Sequence, residues 1–384
     1  EEEDAELEAQ MAAELGERFA AVPGGEGLRA RMEAVARLNG LGYYSHSEQL
    51  CYTASYQFLT GTALCLVASA FNHSCAPNVA RFAIGDVLVF RTNTCVRAGE
   101  ELCISYIESE TLCEHRRLRR QALDRDFECM CSKCSAEDGA AGTRKEPPDD
   151  GRYFSVDAEL QEELAAMPPC QRIDICKSLL AGRLPAEFGD EGGGEAAVKL
   201  LLKDAQELRA VLGLALAQSG GAAEARRVWA EAARLVASSC PPFDEALYVY
   251  ALHAALCAAS AEETAWAQRH LRAAVQLFWG AFGGDGSLEL FRGCCARELQ
   301  MAADLTPGRE ARLRQQRLLS SLGPAPPARP SWAEMRAEVL GWQAPKKGPE
   351  QTKKKAARKL KSKVHAQLLA KPKAAVVNGL RVLP

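Results

Sequence analysis

The sequence has no long hydrophobic run. Nowhere in its 384 residues do apolar residues approach the roughly 18–20 in succession that a helix needs to cross a bilayer. No membrane is therefore expected among its partners. The amino end, Glu1-Glu2-Glu3-Asp4, lacks the basic start and apolar stretch of a secretory signal. It also lacks an initiator Met, which leaves open a fragment or a processed chain. Acids are nearly absent from residues 344–384: twelve Lys/Arg stand against Glu350 alone, a net of +11. The formal charge of −3 thus hides −14 on residues 1–343. Aromatic residues are few, at 7%. After Trp342 only the imidazole of His365 could stack on a base. The tail (Lys346, Lys347, Lys353–Lys355, Arg358, Lys359, Lys361, Lys363) is either a solvated charge run or a nuclear signal or non-specific phosphate contact for nucleic acid.

Cysteine, by contrast, is plentiful: there are 15. Without a secretory signal a disulfide scaffold is not expected, so reduced thiols and a metal site come first. Cys129, Cys131 and Cys134 form C-x-C-x2-C. Neighbouring residues point in different directions, so core packing explains three such thiols poorly. They are well spaced to wrap one soft ion. Structural zinc takes four ligands in a tetrahedron, with thiolates at about 2.3 Å. The local run supplies three, and Cys75 is the natural fourth. Cys65, Cys257, Cys294 and Cys295 read as small buried hydrophobes.

Along the chain, residues 1–20 read as an acidic helix broken by Pro23-Gly24-Gly25, followed by a short helix over Leu28–Leu38 and a loop at Asn39-Gly40-Leu41-Gly42. Residues 62–106 are β-rich. Asn72–Asn78 is rich in turn formers, Val79–Ile84 and Val87–Phe90 flank a two-residue turn, and Leu102–Tyr106 alternates like a strand. Glu110–Leu123 reads as one basic helix. From 156 to 320 apolar residues recur at three- and four-residue steps, as in Leu201, Ala205, Leu208 and Leu212. Paired Ala-rich helices with short turns suggest tetratricopeptide-like units. Residues 323–384 are Pro-rich and then Lys-rich, and are expected to be mostly disordered, with a basic helix at 350–370.

Three ordered motifs carry a family resemblance. Asn72-His73-Ser74-Cys75-x-Pro77-Asn78, Gly99-Glu100-Glu101-Leu102-x-Ile104-Ser105-Tyr106 and Phe127-x-Cys129-x-Cys131-x2-Cys134 resemble the second half of a SET domain with its post-SET zinc knot. Their order and spacing resemble the SET-and-MYND (SMYD-type) protein lysine methyltransferases. Leu38-Asn39-Gly40-Leu41 is similar to that family's Asn-x-Phe segment. The implied fold is α+β: the C-terminal half of a β-rich SET domain (36–110), a post-SET zinc-binding segment (111–137), a linker (138–155), and an all-α tetratricopeptide-like domain (156–322). An acidic helical segment (1–35) precedes these and a basic tail (323–384) follows.

The resemblance implies methyl transfer from S-adenosylmethionine to a lysine of a histone or non-histone protein, in nucleus or cytoplasm. Asn39, Asn72, His73, Tyr106 and Phe127 would then line the cofactor site, with Phe127 on adenine and the Tyr106 hydroxyl at the transfer centre. Cys75, Cys129, Cys131 and Cys134 would hold one structural zinc. The helical domain would be a surface for protein partners. The sequence also departs from the family. No MYND finger is seen. Gly25-Glu26-Gly27 stands too near Asn72 to be the Gly-x-Gly cofactor loop, so the first half of the SET domain is expected upstream of Glu1. Arg125 stands where a second active-site Tyr is usual, and Leu41 where Phe is usual. The alternative is therefore a non-catalytic SET remnant acting as a helical interaction scaffold.

Overall fold

The structure is a computed structural model that describes residues 25–44, 59–65, 67–84, 87–123, 127–139, 153–183, 199–283, 288–321 and 330–342, with the short strands 376–377 and 380–381. The acidic segment 1–20, most of the expected linker and the stretch 350–370 lie outside the described residues.

Helix α1 spans Gly25–Asn39. Gly25-Glu26-Gly27 thus forms its first turn and not a loop. Strand β1, Gly40–Tyr44, follows at once and pairs antiparallel with β2, Leu59–Leu64. The glycines at 40 and 42 predict a loop, but ladder pairing outweighs their weak strand preference. Strand β3, Asn72–His73, comes next, then the hairpin of β4, Val79–Ile84, and β5, Val87–Thr92. Its register, Ile84 opposite Val87, leaves two residues for the turn. Strand β6 is only Cys103–Ile104 and lies parallel to β3, with Asn72 opposite Cys103 and His73 opposite Ile104. The longer strand expected over 102–106 stops there because Ser105 turns the chain. Its hydroxyl donates to the Ile107 carbonyl (2.6 Å) and accepts from the Ile107 amide (3.2 Å).

The basic stretch 110–123 is two helices, α2 (Ser109–Leu112) and α3 (Arg116–Leu123). The break has two anchors. Cys113 forms a disulfide with Cys240, and the Glu114 carboxylate accepts the Lys203 amide at 2.8 Å. The sequence puts reduced thiols first, and this pair is an exception among the described cysteines. Its two cysteines are 127 residues apart, so no local spacing announces it. Helix α4, Ser132–Gly139, completes this part.

The rest is helical. Strands β7 (Tyr153–Phe154) and β8 (Lys199–Leu200) pair in parallel. The helices are α5 (Ala158–Ala166), α6 (Pro169–Leu180), α7 (Leu202–Gln218), α8 (Ala222–Ser239), α9 (Glu245–Ser260), α10 (Thr264–Phe282), α11 (Leu288–Cys294), α12 (Ala296–Leu305) and α13 (Arg309–Ser320). Short turns join α7 to α10, so neighbours run antiparallel. Alanine on the facing surfaces lets them approach closely. Gly213 goes further than alanine: a Cβ there would sit 2.5 Å from the Trp229 ring. Helix α9 is at the centre, with every residue from Ala246 to Ala259 buried.

The hairpin docks on this body. Phe82 meets Phe282 edge to face, and Arg91 donates to the Trp279 carbonyl at 3.1 Å, in the last turn of α10. A cation there complements the negative end of the helix.

The segment read as a tail also contains structure. Helix α14, Trp332–Leu340, starts with a capping box in which Ser331 and Glu334 bond reciprocally. It buries Met335, Val339 and Trp342, and Arg336 donates to the Ala237 carbonyl at 2.9 Å. The Ser-x-x-Glu signal and the four- and three-residue apolar spacing were both present in the sequence; the flanking prolines mask them. Residues 343–384 form a separate unit, whose described part is the antiparallel pair 376–377 with 380–381.

Trp342 closes over His270, whose other face stacks on Trp266. His270 is fully buried and neither ring nitrogen has a hydrogen-bond partner. Burial, aided by the charges of Arg226 and Arg269, pushes its pKa down to about 3. The unfolded chain protonates this imidazole near pH 6.5 and the folded one does not. Stability present above pH 6.5 is therefore lost as pH falls toward 3, at up to about 1.4 kcal/mol per pH unit. Urea titrations of wild type and His270→Phe between pH 7 and pH 4 should show a shallower acid loss in the variant; parallel curves would refute this origin.

Candidate functional site

Two segments far apart in sequence meet at β3 and β6. The Ser74 amide donates to the Ile104 carbonyl at 2.9 Å, extending the pairing. Asn78 pins the other side: its carbonyl oxygen accepts the Cys103 amide (2.9 Å) and its amide donates to the Glu101 carbonyl (2.8 Å). Successive residues of a strand face opposite ways, and here this separates Asn72 from His73. Asn72 is exposed and donates to Glu101 Oε1 at 2.6 Å. His73 is buried.

The His73 ring links two groups. Its Nδ1 accepts the Tyr106 amide at 3.0 Å, so the proton of the neutral ring is assigned to Nε2, which lies 3.4 Å from Cys75 Sγ. Burial holds its pKa below the usual imidazole value, and this neutral form suits both contacts. The Tyr106 ring lies 5.4 Å from the His73 ring, and its hydroxyl donates to the Phe71 carbonyl at 2.6 Å. The Phe127 ring is 6.4 Å from His73 and 47% exposed. An aromatic face so open to water is available to a planar ligand. His73, Tyr106 and Phe127 are thus brought together. Asn72 faces outward beside them. Asn39 is the last residue of α1, but its side chain lies outside the described residues, as does Arg125. Leu41 sits in β1 opposite Ala63.

Below this face the sulfurs of Cys75, Cys129, Cys131 and Cys134 all lie within 4.8 Å of one another. Thiolates placed about 2.3 Å from one tetrahedral ion would be about 3.8 Å apart. Cys75 lies 3.9 Å from Cys129 and 3.7 Å from Cys134, so the donor set fits such an ion. Its acid–base behaviour points the same way. Hydrogen bonding from Cys75 pulls the Cys131 thiol down to about 3, while donation to Cys131 and burial push Cys75 far up, and burial pushes Cys129 up. A divalent cation bound there would favour the thiolate form of its ligands.

Sequence reasoning missed two participants. Arg119 is 1% exposed. Its guanidinium donates to Cys134 Sγ (3.4 Å), pairs with Glu137 (3.1 and 3.3 Å) and reaches the Glu114 carbonyl. It is one of four arginines in the basic run. Its position four residues before buried Leu123, on the same helix face, is the signal that distinguishes it. Lys133 is a second such residue: it donates to the Leu112 and Ser239 carbonyls, and burial holds its pKa below the usual ammonium value. Arg119→Met would leave Glu137 unpaired and the sulfurs without a cationic donor, at a cost of about 3 kcal/mol. Urea denaturation reads this directly, and a loss under about 1 kcal/mol would contradict the assignment.

Comparison with known proteins places a family match on part of the chain. The SET domain family matches residues 8–107, beginning upstream of residue 36, where the sequence motifs alone placed its start. A mimivirus putative SET domain-containing protein L678 is 32% identical over 25% of this chain and 39% of its own length. The chicken protein-lysine N-trimethyltransferase SMYD5 is 32% identical over 27% of this chain and 26% of its own. The mouse histone-lysine N-methyltransferase SMYD3 is 38% identical over 20% and 18%. The matched stretch thus spans well under half of each of these relatives. Residues 8–107 thus match the SET domain family, and part of the chain is similar to SET-and-MYND (SMYD-type) proteins.

Proposed function

We propose that this chain serves as an S-adenosylmethionine-dependent protein-lysine N-methyltransferase, with one structural zinc held by Cys75, Cys129, Cys131 and Cys134. The observation that carries this reading is the meeting of His73, Tyr106 and Phe127 directly above the four sulfurs, within and beside a SET-matching stretch. S-adenosylmethionine, when bound, supplies an activated methyl group on a sulfonium. Phe127 would stack on its adenine, with Asn72 and Asn39 offering amide contacts. His73 would act by holding the Tyr106 backbone against the metal segment. The Tyr106 hydroxyl, fixed by the Phe71 carbonyl, would orient the incoming amine.

A lysine amine must arrive neutral, and its ordinary pKa is about 10.4. Apolar surroundings lower that value. No strong base is needed, and orientation can supply much of the rate. This suits a site whose assigned residues are aromatic, amide and imidazole groups. Zinc would fasten the Asn72–Cys75 loop to the segment that carries Phe127. The substrate is a protein lysine, histone or non-histone. The helical body is proposed as a tetratricopeptide-like surface for protein partners.

Arg125 in place of the family's second tyrosine favours the other reading, a non-catalytic scaffold. Two experiments separate the two. Transfer of labelled methyl to protein lysine should fall at least about 100-fold in Tyr106→Phe, and Phe127→Ala should weaken cofactor binding in calorimetry by about tenfold. A folded, zinc-loaded protein that neither binds the cofactor nor transfers methyl would establish the scaffold. Metal analysis should also give one zinc per chain, lost in Cys129→Ser together with several degrees of Tm. A metal-free protein of unchanged stability would remove the zinc assignment.

A further inference from the structure

The Cys113–Cys240 disulfide lies outside the four-sulfur cluster, and no role described above uses it. Its position is specific. Cys113 directly follows α2, and Cys240 directly follows α8. Their Cα atoms are 5.1 Å apart although 127 residues separate them in sequence. Non-covalent contacts hold the same two segments in place. The Lys133 ammonium bridges the carbonyls of Leu112 and Ser239, the residues immediately before each cysteine. The carboxylate of Glu114, the residue after Cys113, accepts the Lys203 amide in the first turn of α7. These contacts hold the two segments together by means other than the disulfide. Pre-positioned partners react as if at high local concentration. Access is one-sided: Cys113 is buried, while Cys240 is partly exposed. Cys176 and Cys257 lie deep in the helical core, and burial pushes both thiols up to about 12, so they are poor competitors for an oxidant.

We propose that Cys113 and Cys240 form a reversible thiol–disulfide site that clasps the metal-bearing segment to the helical domain and exchanges with low-molecular-weight disulfides such as oxidised glutathione. In the oxidising direction the Cys240 thiolate attacks one sulfur of oxidised glutathione and expels a glutathione thiolate. The Cys113 thiolate then attacks the Cys240 sulfur of this mixed disulfide and expels the second. Two protein thiols give up two electrons and two protons, and one oxidised glutathione becomes two reduced molecules. Closing so long a loop restricts the unfolded chain strongly. In the reduced form the Lys133 and Glu114 contacts still bridge the two segments beside the cysteines.

The test equilibrates the whole, metal-loaded chain in glutathione buffers of graded oxidised-to-reduced ratio. Free thiols are then trapped by alkylation and mapped by mass spectrometry without reduction. The expected result is a Cys113–Cys240 linked peptide whose yield follows the ratio, zinc unchanged by metal analysis, and a Tm higher by about 5–10 °C in the oxidised form. Cys240→Ser should melt with reduced wild type at every ratio. If that variant does not fold, the oxidised and reduced wild-type forms make the same comparison. Full alkylation of both cysteines at every ratio would overturn the proposal. So would pairing of either with another cysteine, loss of zinc in step with oxidation, or equal Tm in the two forms.

Discussion

Four sulfur atoms from two segments, Cys75 and Cys129 lying 54 residues apart, gather within one small volume, and the site is arranged around that meeting. A loop of turn formers has little apolar surface with which to hold its own position. Here the loop is held at one end by a sulfur and at the other by the two-residue pairing of β3 with β6. His73 lies between these restraints, one ring nitrogen on the Tyr106 backbone and the other beside Cys75. The small core here (Cys75, Ile107, Leu112, Leu123, Cys129 and Cys134) consists half of cysteine. A core with so few carbon side chains provides little burial energy, so the sulfurs and Arg119 matter more to its stability than they would in a large domain.

The helical body supplies what this small core lacks. The two parts touch through polar and ring contacts at the ends of helices. Arg91 and Phe82 reach the last turn of α10, Lys133 reaches the end of α8, and Glu114 reaches the start of α7. Helix ends carry unpaired backbone groups and partial charges, which makes them natural docking points for single charged side chains. The part before residue 140 thus meets the helical body at helix termini.

What the sequence disclosed, and what it hid, follows from the range of the interactions. C-x-C-x2-C is legible because its three thiols are local, and Cys75 could be added because it stands in the loop of turn formers at Asn72–Asn78. The Val79–Thr92 hairpin and the helices from 156 to 320 are legible through their periods. The strand at Gly40–Tyr44 is not, because only pairing with Leu59–Leu64 makes two glycines extended. The break at Cys113–His115 was hidden because its anchors, Cys240 and Lys203, are remote. Arg119 was hidden because a basic run usually marks a solvated face, and only burial separates it from its neighbours. Helix α14 was overlooked for a different reason: its cap and apolar spacing are local signals, but they sit inside a Pro-rich stretch that biases the eye toward disorder.

Helix α9 is buried along its whole length. It has no face to show to water, and a helix apolar all round is not stable in water by itself. Its flanking helices α8 and α10 are therefore its solvent. A shortened version of this protein that ends within the helical body would expose a surface with no polar side, and would aggregate before it could report on anything else.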